Sequence, residues 1–153
     1  CKNFNQLIKK YKKLIKEYER ILVEQFIPGK EIQVAIMGDK MLGAIELVPK
    51  RKFYDFKAKY SSKAKTKHIM PAAIPKKNYN EVLRLAKKAH NVLGCKGITR
   101  SDFKFYKGKF YLLESNTQPG MTKLSLVPEI ACYCGIAFDD LVHWMVKDAS
   151  LKR

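Results

Sequence analysis

FYLLESNTQPGMTKLSL, residues 110–126, reads as a strand that delivers polar oxygens into a tight, backbone-rich loop. Phe110, Tyr111, Leu112 and Leu113 form a short apolar run of strong β preference, and Glu114 and Asn116 follow it two apart. Residues two apart on a strand share a face, so a carboxylate and an amide oxygen point the same way. Such oxygens suit a hard cation like Mg²⁺, which usually keeps part of its shell for water or phosphate. Gln118-Pro119-Gly120 then turns the chain, because proline fixes φ and glycine accepts either sign of it. Ser125 stands where a helix is predicted to begin, and free N–H groups at a helix start can hold an anion.

Upstream, Gly97 to Phe105 (GITRSDFKF) is predicted to be a second strand, carrying Arg100 and Asp102 two apart on one face. Tyr106-Lys107-Gly108-Lys109 connects the two strands in hairpin fashion. A connection of three or five residues would set Asp102 opposite Glu114 and Arg100 opposite Asn116, whereas a two-residue turn would split them. Register therefore decides whether Asp102, Glu114 and Asn116 form one ligand set, since a slip of one residue reverses every side chain.

Arg100-Ser101-Asp102, then Leu113 through Thr122 (LESNTQPGMT), then Ser125-Leu126-Val127-Pro128 closely resembles the C-terminal catalytic region of D-alanine:D-alanine ligases, members of the ATP-grasp superfamily. The likeness runs from Ile21 to the closing helices. It implies an α+β fold, the C-terminal portion of an ATP-grasp fold: a mainly antiparallel sheet flanked by helices, with a long loop over the active site. It further implies that residues 1–153 are the C-terminal part of the catalytic domain, inactive alone, with the N-terminal domain and the first ATP-grasp section absent. Cys1 in place of an initiator methionine is in keeping with that expectation.

The resemblance also implies roles. Asp102, Glu114 and Asn116 would hold two Mg²⁺ (or Mn²⁺) ions. Arg100 and the N–H of Gly120 would stabilise an oxyanion, and Ser125 with the N–H of Leu126 would take the second substrate's carboxylate. Glu24, Gln25 and Ile27 would line the adenine slot, Glu31 would bond the ribose hydroxyls, and Leu113 would also contact the nucleotide. A carboxylate accepts two such bonds well. Phe53 to Tyr60 (FYDFKAKY) is similar to the segment that closes over the phosphates, so Tyr54 and Lys59 would contact ATP and Tyr60 would help shut the dipeptide site. Closure matters because water would destroy an acyl phosphate. The implied reaction is ATP-dependent ligation of two D-alanines for peptidoglycan precursors, in the cytoplasm. The implied partners are D-alanine, the upstream half of the ligase and, for the complete enzyme, a second copy in a homodimer.

Bulk properties bound the alternatives. At 153 residues and 46% hydrophobic, the chain has enough apolar material for one domain. No run of about 18 apolar residues is free of charge, so no membrane span is expected. The N-terminus lacks the pattern of a secretory signal. A net charge of +17 raises nucleic acid as a partner. The excess is mostly lysine spread along the whole chain, which fits weak adhesion to polyanions better than specific recognition. A basic polyanion-binding module therefore stands behind two ligase readings, the D-alanine ligase and an ATP-grasp ligase of another substrate. Cys1, Cys95, Cys132 and Cys134 form no C-x-x-C unit and are expected to be reduced and mostly buried.

The remaining elements follow from periodicity. Phe4, Leu7, Ile8, Tyr11, Leu14, Ile15 and Tyr18 recur at helical spacing, predicting an amphipathic helix of about five turns packed on the sheet, with a membrane-surface role as the alternative. Ile21 to Phe26 is predicted as a strand, and Glu31 to Met37 and Met41 to Val48 as a hairpin closed at Gly38-Asp39. Pro49 to His68 is predicted as a long surface loop with His68 at its exposed end. Tyr79 to Leu93 is predicted as a helix whose His90 is solvated or caps its end. Ser125 to Cys134 and Phe138 to Lys147 are the closing helices, with Leu141, Trp144 and Met145 facing the sheet.

Overall fold

The apolar run from Ile32 to Met37, interrupted only by Gln33, suits a strand buried on both faces. That strand, β1 (Lys30–Met37), is the centre of the sheet. It pairs antiparallel with β2 (Lys40–Val48) around the Gly38-Asp39 turn, as predicted. The structure, a computed structural model, describes residues 1–49 and 66–150. Adding β3 (Lys67–Ile69), β4 (Ile98–Tyr106) and β5 (Lys109–Asn116) gives a five-stranded sheet of order β3-β2-β1-β4-β5, with every pairing antiparallel. With its flanking helices this is the expected α+β architecture.

One face of the sheet is covered by α2 (Lys76–Val92), whose Val82 and Ala86 pack on Ile32, Val34, Ile36, Ala44 and Phe103. The other is covered by α3 (Leu126–Tyr133) and α4 (Phe138–Asp148). Leu126, Val127, Ile130, Ala131 and Leu141 there bury Ala35, Met37, Ile45, Leu47 and Ile98. Trp144 and Met145 pack on the same cluster, as the sequence predicted. Fully burying a side chain of this size stabilises the fold by about 1.5–3 kcal/mol, so the two clusters carry most of its stability.

Several expectations are corrected. The first helix, α1, spans Phe4–Leu14, is capped by Asn3 accepting from the Gln6 N–H at 3.0 Å, and buries none of its residues. Around β1 and β2 the two faces of the sheet are already taken by α2, α3 and α4, and α1 joins neither cluster. Ile21 to Phe26 is not a strand, and Leu22 there is 82% exposed. His68 lies in β3 rather than in a loop, with Nδ1 2.7 Å from the Glu129 Oε2 of α3. His90 is buried, not solvated: it lies in the last turn of α2, with Nδ1 2.8 Å from Thr99 Oγ1 of β4. The four cysteines are free thiols, but Cys1, Cys132 and Cys134 are exposed and Cys95 is only partly covered. The inward side of α3 is taken by Val127, Ile130 and Ala131, which leaves Cys132 outside. Among the described residues, no helix is long and apolar enough to cross a membrane.

Candidate functional site

The hairpin β4–β5 turns on two residues, Lys107 and Gly108, both at positive φ (48° and 75°). That is the backbone of a type I′ turn, which matches the twist of the strands it joins. In regular register such a turn would set Asp102 opposite Leu113 and Arg100 opposite Ser115. The observed pairs are Asp102 with Glu114 and Arg100 with Asn116, because the register shifts between Asp102 and Phe103. Phe103 pairs with Leu112, so Leu113 is the extra residue of a β-bulge. The condition set on loop length is thus overturned, while the juxtaposition it was meant to secure is present.

On this face Arg100 grips Asp102 with two hydrogen bonds, Nε to Oδ1 at 2.8 Å and Nη2 to Oδ2 at 3.1 Å. Its Nη2 also lies 3.9 Å from Glu114 Oε1. Asp102 is buried, whereas the Glu114 side chain is 57% exposed and open to a ligand. Asn116 Oδ1 accepts the Gln118 N–H at 3.0 Å, which fixes the amide at the mouth of the following loop.

The antiparallel neighbour β1 extends the same face. Gln33 pairs with Asp102 and Glu31 with Lys104. Glu31 accepts a 2.7 Å hydrogen bond from Lys104 Nζ in a pair whose side chains are mostly covered. Gln33 is buried, and its Oε1 has no hydrogen-bond partner. Sequence reasoning passed over Lys104 and Gln33. The alternation Arg100-x-Asp102-x-Lys104 already put the lysine on the site face, and Gln33 is the polar interruption of an otherwise apolar strand.

Beyond Asn116 the loop folds on Ser125. Its Oγ accepts the Thr122 N–H at 3.0 Å and lies 2.9 Å from Thr122 Oγ1. A Cβ at Gly120 would come within 3.0 Å of that Oγ, so glycine lets the two stretches of the loop meet. Leu126 opens α3 and is buried. Of the residues expected at the nucleotide, Glu31 lies on the site face; Glu24 and Gln25 are exposed in the irregular stretch before β1, and Ile27 is partly buried there. Leu113 is half-exposed at the bulge. The expectations for Tyr54, Lys59 and Tyr60 lie outside the described residues.

The donor set fits a hard divalent cation by its chemistry. Asp102 and Glu114 bring carboxylate oxygens to one face, Glu114 is exposed, and Asn116 Oδ1 has a second lone pair. Among the described residues no group of three or more His, Cys, Asp or Glu side chains could hold a metal ion. Two carboxylates and an amide, leaving coordination positions for other oxygens, is the pattern of a Mg²⁺ or Mn²⁺ site shared with phosphate rather than of a closed protein cage.

The family described as D-ala D-ala ligase C-terminus matches residues 1–147. The D-alanine–D-alanine ligase of Pelagibacter ubique (strain HTCC1062) is 65% identical over 133 residues, covering 87% of this chain and 44% of the relative. That of Geotalea uraniireducens (strain Rf4) is 56% identical over 133 residues, covering 86% and 43%. Among solved structures, the D-alanine–D-alanine ligase from Bacillus anthracis complexed with ATP superposes with a TM-score of 0.81 at 27% identity. That match covers 95% of this chain and 48% of the solved one. The chain therefore spans less than half the length of the relatives it matches. A match over nearly the whole chain, on a sheet that brings Arg100, Asp102, Glu114 and Asn116 to one face, makes this chain a member of the D-alanine–D-alanine ligase C-terminal family.

Proposed function

We infer that the chain supplies the catalytic sheet face of an ATP-dependent ligase that joins two D-alanines through an acyl phosphate, for peptidoglycan precursor synthesis in the cytoplasm. The observation that carries this reading is the bulge-set pairing of Asp102 with Glu114 and of Arg100 with Asn116. Asp102, Glu114 and Asn116 would hold two Mg²⁺ or Mn²⁺ ions, which when bound neutralise charge on phosphate oxygens.

The chain's own groups would do the rest. Glu24, Gln25, Ile27 and Leu113 would line the adenine, and Glu31 would accept from the ribose hydroxyls. Tyr54 and Lys59 would contact the phosphates, and Tyr60 would help exclude water from the acyl phosphate. When the second amine attacks the activated carbonyl, its oxygen gains charge. Arg100, already oriented by its two bonds to Asp102, and the N–H of Gly120 would donate to that oxygen. Preorganised donation of this kind is worth roughly 2.7–4 kcal/mol per donor where it has been measured. Ser125 Oγ and the Leu126 N–H would hold the second D-alanine by its carboxylate. Groups completing the first D-alanine site would come from the part of a ligase-length protein that this chain does not span.

The test is calorimetric binding of a non-hydrolysable ATP analogue with Mg²⁺, by this chain and by Glu114→Gln, each alone and with the upstream half of the Pelagibacter ubique ligase added. The expected result is binding that appears with the added half and is lost in Glu114→Gln. Binding unchanged in Glu114→Gln would overturn the metal assignment. Absence of binding in every mixture would overturn the ligase reading and favour the polyanion-binding alternative.

A further inference from the structure

Ser125 occupies the N-cap of α3, yet its side chain makes no hydrogen bond to that helix. Serine is favoured at this position because its oxygen ordinarily accepts an N–H of the first turn. Here the oxygen is turned back onto the preceding loop, to the backbone N–H and the hydroxyl of Thr122. Pro128, the third residue of α3, has no N–H to offer, and the N–H groups of Leu126 and Val127 are left uncapped by Ser125.

The bonding of that hydroxyl limits what its proton can do. A serine oxygen has two lone pairs and one proton. The Thr122 N–H takes one lone pair. When Thr122 Oγ1–H donates as well, both are used, and the Ser125 proton has no acceptor left in the pair. It must then be given to an acceptor outside the loop. With no acceptor there, the pair reverses: Ser125 donates to Thr122 Oγ1, and no proton is orphaned. The two hydroxyls together make Ser125 a donor on demand at one fixed rotamer.

We propose that Thr122 is a positioning residue, holding Ser125 Oγ off the helix and directing its proton to the carboxylate of the second amino-acid substrate. This rests on the reading of Ser125 given above. It assigns a role to a side chain which does not itself touch substrate. The Gly120 contact belongs to the same device, because any side chain there would push Ser125 Oγ from its place.

Thr122→Val keeps the backbone N–H and the β-branch and removes only the hydroxyl, whereas Thr122→Ser keeps the hydroxyl. In the chain complemented by the upstream ligase half, Thr122→Val is expected to raise KM for the second D-alanine about tenfold with kcat within about twofold, and Thr122→Ser to restore it. An unchanged KM in Thr122→Val, or equal losses in both variants, overturns the proposal. Ser125→Ala separates the two levels of argument. If it too leaves KM unchanged, the carboxylate reading of Ser125 falls; if it raises KM while Thr122→Val does not, only the role of Thr122 falls. In the chain alone, Hα–Hβ couplings of Ser125 should report one rotamer in the parent and in Thr122→Ser, and rotamer averaging in Thr122→Val. A single rotamer in Thr122→Val overturns the proposal without recourse to turnover.

Discussion

Asp102 stands directly opposite Glu114 although only Lys107 and Gly108 separate their strands. Leu113 makes this possible by occupying the bulge, so that Glu114 and Asn116 return to the face of Asp102 and Arg100. Two deletions should therefore behave oppositely. Without Leu113 the hairpin is regular and Glu114 still meets Asp102, so Mn²⁺ binding measured by paramagnetic resonance should stay within about threefold of the parent. Without Ser115, Asn116 turns to the other face and Mn²⁺ affinity should fall at least about tenfold, because one-residue shifts reverse side chains. Equal effects of the two deletions would mean that the bulge does not set the site.

Glu46 on β2 is buried, and its Oε2 accepts both Lys30 Nζ at 2.9 Å and the Ala73 N–H at 3.2 Å. Lys30 also donates to the Ala73 carbonyl at 2.8 Å, so one ion pair ties the sheet to the segment leading into α2. Lys30→Met strips a buried carboxylate of its cation. Breaking a fully buried pair costs about 3–5 kcal/mol, and since the Lys30 side chain is 43% exposed the expected loss is smaller, about 1–3 kcal/mol. Urea unfolding measures it, and a loss below about 0.5 kcal/mol would show that water replaces the lysine. Restoring the balance in the double variant Lys30→Met, Glu46→Gln should recover part of the loss.

His90 gives the fold a pH dependence of known sign. Its pKa is lowered from 6.5, first by burial and then by the charge of Lys87, against the opposing charge of Asp39. Below about pH 6.5 the unfolded chain takes up a proton that the folded chain resists. The neutral ring's contribution is thus fully present above that pH, and is lost as pH falls toward the depressed folded value. The slope from this one group is at most about 1.4 kcal/mol per pH unit. His90→Gln retains an amide able to bond Thr99 and does not titrate, so its melting temperature should fall less than the parent's between about pH 7 and pH 5. Parallel curves would remove His90 as a cause.

Much of this was legible from local pattern, and what was missed has a common physical origin. The β1–β2 hairpin, α2 and the closing helices announce themselves by period and by turn residues, because burial on one side writes itself into the sequence. The bulge at Leu113 does not, since Leu112 and Leu113 are chemically alike and only the partner strand decides which is extra. The burial of His90 between α2 and β4 is likewise a tertiary matter. So is the exposure of α1, whose apolar stripe predicted a place on the sheet that α2, α3 and α4 take instead. The candidate ligands were found by residue type and two-residue spacing; Lys104 lay in the same spacing and was passed over.

Lys104 leads to the last expectation. Its Nζ lies 2.7 Å from Glu31 Oε1, with both side chains mostly covered, so the carboxylate proposed to accept from the ribose is held in one orientation by a cation on the neighbouring strand. Lys104→Met should leave Glu31 charged but free to rotate, at a stability cost of about 1–2 kcal/mol. In the complemented chain, affinity for an ATP analogue should fall about three- to tenfold. Affinity for its 2′,3′-dideoxy counterpart, which offers Glu31 no hydroxyl, should change by less than about twofold. The difference between the two ligands separates an oriented carboxylate from a general loss of positive potential, which would weaken both alike. Equal weakening would therefore assign Lys104 to the phosphates and leave Glu31 without its proposed support.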